Sequence, residues 1–251
     1  MPYFGDDLYM GTAFVGRSFA SSGGPSRMTK GFGPLGRVYV FDVVPAAKAA
    51  NNICVAQAIA GAGNALINGA LAVTGLNLPG GETAGAVLDH DRTLQMASSN
   101  AGDTTQTVTI TGYDRYGQKL SQVKTLNGTN AVLFTKAFLI VVQVAVSGVM
   151  AGNLTVGTHD GIGLPVKISD AGYVDRVGWN NTLANDAGTL VTADATNPAT
   201  TATTDVRGLY TPSSAPDGSK RLVMELCLTA AHVGPTATRA GLLGVDQNVS
   251  A

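Results

Sequence analysis

Charged side chains are scarce in this sequence: Asp, Glu, Lys and Arg make up 13% of its 251 residues, against about a quarter in an ordinary soluble domain. A monomer relies on surface charge for solubility, so much of this surface is expected to be Thr, Ser, Asn and Gly, or to lie against neighbours. The 16 basic and 17 acidic residues leave a net charge of -1, and no basic cluster stands out. That excludes the electrostatic footprint of a nucleic-acid binder. Cysteine is nearly absent: Cys54 and Cys227 lie far apart in apolar runs, without a CxxC spacing. A disulfide between them is open on spacing, but two buried free thiols are the expected state.

Long apolar runs are missing too. The longest, residues 137–150, is broken by Gln143, Ser147 and Gly148 and is shorter than the roughly 20 residues that a membrane helix needs; no membrane association is expected. The start, MPYFGDDLYMG, has neither a basic region nor an apolar core, so it does not read as a secretory signal. Synthesis and assembly in the cytoplasm are the expectation. No amphipathic stretch exceeds about ten residues, short of a typical helix.

Catalytic motifs are equally sparse. Gly61-Ala62-Gly63 lacks the third glycine of a dinucleotide fingerprint, and neither a P-loop nor a Gly-x-Ser-x-Gly elbow occurs. The three histidines are His90, His159 and His232. Asp89-His90-Asp91 is the best acidic cluster, but in a strand Asp89 and Asp91 share one face while His90 points away, which opposes a three-ligand metal site. Four Asn-x-Ser/Thr triplets, at Asn127, Asn153, Asn180 and Asn248, read as chance in an Asn- and Thr-rich chain. The scattered Asp and Glu leave a carboxylate dyad open without supporting one, and a metal at His90 would need a ligand from elsewhere in the chain; no catalytic, cofactor or metal residue is assigned, and the chain is read as a non-enzyme.

What is present is β-sheet. The 32 glycines favour turns and extended segments. Residues 107–113 and 120–126 alternate small polar and apolar side chains around Asp114-Arg115-Tyr116-Gly117, a turn with an acceptor at its start and a glycine where φ turns positive. This predicts an antiparallel hairpin. Further strands are predicted at 37–44, 53–60, 70–74, 86–98, 131–146, 154–156, 162–168, 173–179, 189–193 and 222–228, with a helical turn over 46–52. In 53–60 a large face (Ile53, Val55, Ile59) opposes a small one (Cys54, Ala56, Ala58, Ala60); in 222–228, Leu222, Met224, Leu226 and Leu228 share a face. Residues 194–219 form a long polar segment, longer than a routine loop and expected to be exposed. The fold class is all-β, a β-sandwich or jelly-roll-like domain over residues 37–251.

Residues 1–36 differ from the rest. They hold eight glycines and no lasting periodicity, yet Tyr3, Phe4, Tyr9, Phe14, Phe19 and Phe32 are six of the fifteen aromatics in the chain. A disordered tail is poor in aromatics, whereas spaced rings on an extended segment suit docking. The segment reads as an N-terminal arm whose rings form a partner interface, on another subunit rather than on its own sandwich.

The block TVTITGYDRYGQKLSQVKTLNGTNAVLFTKAFLIVVQVAVSG, with GNLTVGTHDGIGLPVKI after it, resembles a pattern of tailed-bacteriophage virion structural proteins. There a hairpin of the type TVTGTDxxGxxxxE precedes LNGT, KAFxxVxxVxVSG and VGTxDxLGLP. The matching segments here are 107–117, 126–129, 136–148 and 156–165, and Asp205-Val206-Arg207-Gly208 and Pro216-Asp217-Gly218 are later landmarks. The resemblance covers roughly residues 86–228. It implies a capsid cement (decoration) or other minor head protein: a β-sandwich, often a homo-oligomer such as a trimer, that binds the major capsid protein on the outer surface of the virion. The long spine helix of the usual major capsid fold has no counterpart here. The competing expectation is a tail, fibre or head-surface module that binds host envelope or glycan through surface aromatics such as Tyr113, Tyr116 and Trp179. A polysaccharide hydrolase is the third.

Overall fold

The computed structural model describes residues 37–182, 184–228 and 242–247. Within them the strands are β1 (Arg37–Val43), β2 (Ala49–Ala58), β3 (Gly63–Asn64), β4 (Ala72–Thr74), β5 (Ala84–Ser98), β6 (Thr107–Tyr113), β7 (Lys119–Thr125), β8 (Val132–Leu133), β9 (Phe138–Val146), β10 (Asn153–Gly163), β11 (Val174–Trp179), β12 (Thr189–Val191), β13 (Leu209–Thr211) and β14 (Leu222–Leu228), with a 3-10 turn at Ala171–Tyr173. All their pairings are antiparallel. The protein is all-β and sandwich-like.

The hairpin forms where its local chemistry puts it. β6 and β7 pair without a slip from Thr107↔Thr125 to Tyr113↔Lys119. At the turn, Gly117 takes a φ of 74°, and Asp114 Oδ1 accepts the N–H groups of Tyr116 at 2.8 Å and Gln118 at 3.0 Å. The turn therefore carries its own hydrogen bonds, and the register that buries Val108, Ile110 and Leu120 follows from it.

One sheet runs β12-β13-β10-β5-β9-β6-β7, with β2 added on β10, β3 on β9, and β4 and β8 on β5; the other is β1-β14-β11. Two large apolar cores result, with a small third cluster of Ala199, Val206 and Val245. The first holds Ile53, Leu94, Val108, Ile110, Phe138 and Leu154. The second takes Ile162, Leu164 and Ile168 together with Phe41 of β1 and Leu222, Met224, Leu226 and Leu228 of β14. The predicted apolar face of β14 thus packs as a unit. β10 serves both cores, Leu154 and Val156 in one and Ile162 in the other.

Two of the differences from expectation, at 53–60 and 154–168, come from irregular register. Residues 46–48 form no helical turn, and β2 starts at Ala49. The two-faced reading of 53–60 fails because the β10–β2 register shifts twice, so Ile53 and Cys54 are both fully buried while Val55 is exposed. The expected short strands 154–156 and 162–168 with a turn between them are instead one continuous strand, β10, that bulges, followed by irregular chain. The 194–219 segment is not one exposed loop: Asp205, Val206 and Arg207 are at most 1% exposed, and β13 lies within it. Cys54 and Cys227 are buried and form no disulfide, as expected. The arm of residues 1–36 lies outside the described residues.

Candidate functional site

The densest gathering of polar side chains lies where the two cores meet, and it is made by strand irregularity. Between Val87↔Ile140 and Arg92↔Phe138, four residues of β5 lie opposite one of β9; between Leu94↔Thr158 and Arg92↔Ile162, three residues of β10 lie opposite one of β5. Both strands bulge here, β5 at Asp89-His90-Asp91 and β10 at His159-Asp160-Gly161. Bulges re-aim side chains that a regular pleat would send to alternate faces. The expected alternation of Asp89, His90 and Asp91 is overturned for that reason: His90 Nδ1 lies 3.0 Å from Asp89 Oδ2.

Each bulge is tied to distant chain. Asp89 also accepts the Ala46 N–H at 2.8 Å and Arg92 Nη1 at 3.2 Å. Arg92, 1% exposed, donates Nε to the His159 carbonyl at 3.1 Å. Lys48 Nζ donates to Asp160 Oδ2 at 2.6 Å. The fully buried Asp91 accepts Arg115 Nε at 2.5 Å, and Arg115 stacks 5.1 Å from the Phe41 ring of β1.

A second set of bonds adjoins the first. Arg207 Nη1 donates to Asp114 Oδ2 at 3.1 Å with both side chains at most 1% exposed, and its Nε donates to the Leu164 carbonyl at 3.2 Å. Asp205 Oδ1 accepts the Arg207 N–H, and its Oδ2 accepts the Ala137 N–H, both at 2.9 Å. The Tyr116 hydroxyl donates to the Pro165 carbonyl at 2.5 Å while Arg207 lies 5.2 Å from its ring. Gln122 Oε1 accepts the N–H groups of Thr135 and Lys136, whose side chain is buried near Asp205 and Asp194.

Burial sets the electrostatics. It raises the Asp91 carboxyl above the usual range against the pull of Arg115, and it lowers the Lys136 ammonium and the His159 imidazole. Asp89 differs: burial works to raise it, but the bonds from His90 and the Ala46 N–H, with the charge of Arg92, outweigh burial and hold it well below the usual range. Because the folded value lies below the unfolded one, about 3.9, this contribution is present above that pH and is lost as pH falls through the folded value. Asp89→Asn is therefore expected to destabilise the protein at pH 7 and to flatten the loss of stability below pH ~5, read from urea midpoints across a pH series. An unchanged acid limb would count against the role given to Asp89.

This constellation ties both bulges to distant chain. Asp89, Asp91, Asp160, Arg92 and Arg115 each make at least one bond to an opposite charge or to backbone, while Asp91 Oδ1, Arg92 Nη2, Asp160 Oδ1 and His90 Nε2 are buried without a hydrogen-bond partner among the described residues. Among the described residues no three His, Cys, Asp or Glu side chains converge as a metal would require; His232 lies outside them. The Cys54 thiol, pushed up to about 12 by burial, carries almost no thiolate at neutral pH.

Among the described residues, exposed large apolar side chains gather at two places. On β1, Val38, Tyr39 and Val40 are exposed, with Val44 just beyond the strand. Elsewhere Leu66 and Val73 line a shallow groove. The rings expected to make the partner interface, Tyr3, Phe4, Tyr9, Phe14, Phe19 and Phe32, lie outside the described residues. Of the three aromatics expected on the surface, Tyr113 is buried at the end of β6, where its hydroxyl donates to Glu82 at 2.7 Å and accepts the Gly80 N–H at 2.9 Å. Tyr116 is half exposed beside Arg207, and Trp179 donates Nε1 to Asp186 at 3.0 Å with Lys220 5.7 Å from its ring.

Sequence reasoning did not foresee the buried charges Arg92, Lys136 and Arg207 or the buried Gln122. For Arg207 one signal was available: an acid and a base lie within three residues, shortly before a glycine, in both Asp114-Arg115-Tyr116-Gly117 and Asp205-Val206-Arg207-Gly208. No family model, no curated protein and no solved structure matches this chain.

Proposed function

We propose that this chain is a virion structural protein, a cement protein that associates with itself, as a trimer, and braces joints between major capsid subunits on the outer surface of a tailed-phage head. One observation carries the reading. Three of the segments behind the resemblance, 107–117, 156–165 and 205–208, are remote in sequence yet meet at the joint between the two cores, through Asp114–Arg207, Tyr116–Pro165 and Arg207–Leu164. Residues that share a motif because they lock a body together are what an assembly part requires; residues that share one for chemistry would open onto a cleft.

The charge balance of -1 supports an outer location, since a lumen-facing protein meets packaged DNA and gains from basic excess. Each copy adds contact across a joint, and many weak identical contacts act together through avidity. Assembly takes place in the host cytoplasm, with neither nucleic acid nor membrane as a partner. The host-glycan reading is weakened by the burial of Tyr113 and by the cations beside the other two rings.

Co-sedimentation of the purified full chain with shells of the phage that carries it, followed by cryo-microscopy, tests the proposal. Regular density on the outside of the shell is expected, and removal of residues 2–36 is expected to lower shell binding at least tenfold. Density confined to the tail would overturn it.

A further inference from the structure

The groove on the first core has a defined origin. Along β9, one partner strand, β5, pairs at Ile140 and Val141, and the next, β3, pairs at Ala145 and Val146. The stretch at Val142 and Gln143 between them floors an opening of about 340 Å³, walled by Leu66, Ile67, Val73 and Ala84. No charged side chain lines it, and its most polar members, Gln143 and Asn64, bond each other at 3.1 Å. Leu66 is 67% exposed and Val73 40%, so apolar surface stays in water that an occupant would remove.

Size and chemistry restrict that occupant. Pockets for small molecules run from roughly 300 to 1,000 Å³ and carry placed polar groups that orient the ligand. This groove is at the lower limit and has no cation for a phosphate or carboxylate, and no charge of either sign for an ionic ligand. One or two neutral rings fit that description.

The chain itself carries such rings, in the 36 residues that precede β1. Extended at about 3.3 Å per residue, that segment reaches on the order of 120 Å, far enough for another copy. At its root Val38 and Val40 of β1 are 46% and 56% exposed, so the apolar strip beside the body is left uncovered where the arm begins.

We infer that this groove is the receptor for an aromatic side chain of residues 1–36 contributed by a neighbouring copy of the same chain. The inference rests on the self-associating reading above and names its contact. Because groove and arm are different surfaces, the contact is heterologous, and such contacts close into rings such as the proposed trimer.

The test uses the full chain. A copy carrying photoreactive benzoylphenylalanine in place of Phe4, Phe14, Phe19 or Phe32, one position at a time, is co-expressed with a tagged, unsubstituted copy. After irradiation, the cross-linked peptides are sequenced by mass spectrometry. At least one position is expected to cross-link to residues 64–74 or 142–143 of the tagged copy. Leu66→Glu in the tagged copy, at an exposed position that leaves the melting temperature unchanged, is expected to cut that yield at least tenfold. Cross-links confined to the same copy would overturn the inference in favour of an arm that folds back, and cross-links only to other surfaces would overturn it outright. Shell binding is a separate readout. A chain that binds shells without trans cross-links defeats only this inference; one that cross-links in trans but ignores shells defeats only the cement reading.

Discussion

Arg207→Met is expected to remove about 3–5 kcal/mol of stability, the usual cost of taking one partner from a buried ion pair. Methionine keeps an unbranched stem, so the change is electrostatic more than volumetric. Asp114, at 0% side-chain exposure, would lose the guanidinium paired with it, and Asp205 and Asp91 would lose a nearby positive charge. The Leu164 carbonyl would lose its bond from Nε.

The pair is not assumed to be a net source of stability, since desolvating two ions can cancel their attraction. Its worth lies in making separation of the two cores expensive. For that reason the double variant Arg207→Met/Asp114→Asn is expected to recover part of the loss, with a coupling of about 0.5–3 kcal/mol. Urea unfolding followed by fluorescence of Trp179, the single tryptophan, reads the second core directly, and circular dichroism reads the whole sheet. Lys220→Ala, which breaks an ion pair with both side chains well exposed, should change stability by less than ~1 kcal/mol. If Arg207→Met matched it, the keystone role would be wrong.

Gly157→Ala is expected to be the most damaging single-methyl substitution, at the upper end of the ~1–3 kcal/mol typical of overpacking or beyond it. A Cβ at this site would collide with the Ala49 carbonyl oxygen and lie 2.5 Å from Ala50 C and 2.7 Å from Asn51 N. These are backbone atoms of β2, so no rotamer change relieves the overlap. The strand must move, and with it the pairs Val156↔Cys54 and Thr158↔Ala49 and the bonds between Asn52 and Thr158 at 2.9 and 3.0 Å. Gly148→Ala is the control: nothing lies within 4 Å of its Cβ, and its effect should stay within ~0.5 kcal/mol. Equal urea midpoints for the two variants would refute the account of β2 seated on Gly157.

The same contrast separates what was legible from what was not. The Asp114-to-Gly117 turn was legible because its acceptor side chain, its glycine and the N–H groups they serve lie within five residues of one another. β14 was legible because Leu222, Met224, Leu226 and Leu228 recur at every second residue, a local property, and the strand pairs with β1 without a slip. The candidate site was legible only in fragments. Asp89-His90-Asp91 drew notice but was assigned the wrong geometry, since alternation holds only while register does, and here both neighbours slip. Arg207 lay in a segment read as exposed loop, because Thr, Asp and Pro around it are what loops contain.

By itself, then, the sequence determined the sheet class, the central hairpin and the apolar face of β14, all of which follow from side-chain period, turn chemistry and composition. Tertiary structure alone decided which charges are buried. Arg207 and Asp114 are 93 residues apart, and whether a guanidinium meets a carboxylate or water depends on which strands pack, and in what register. Periodicity reports how a residue faces its own strand; desolvation depends on everything else that covers it.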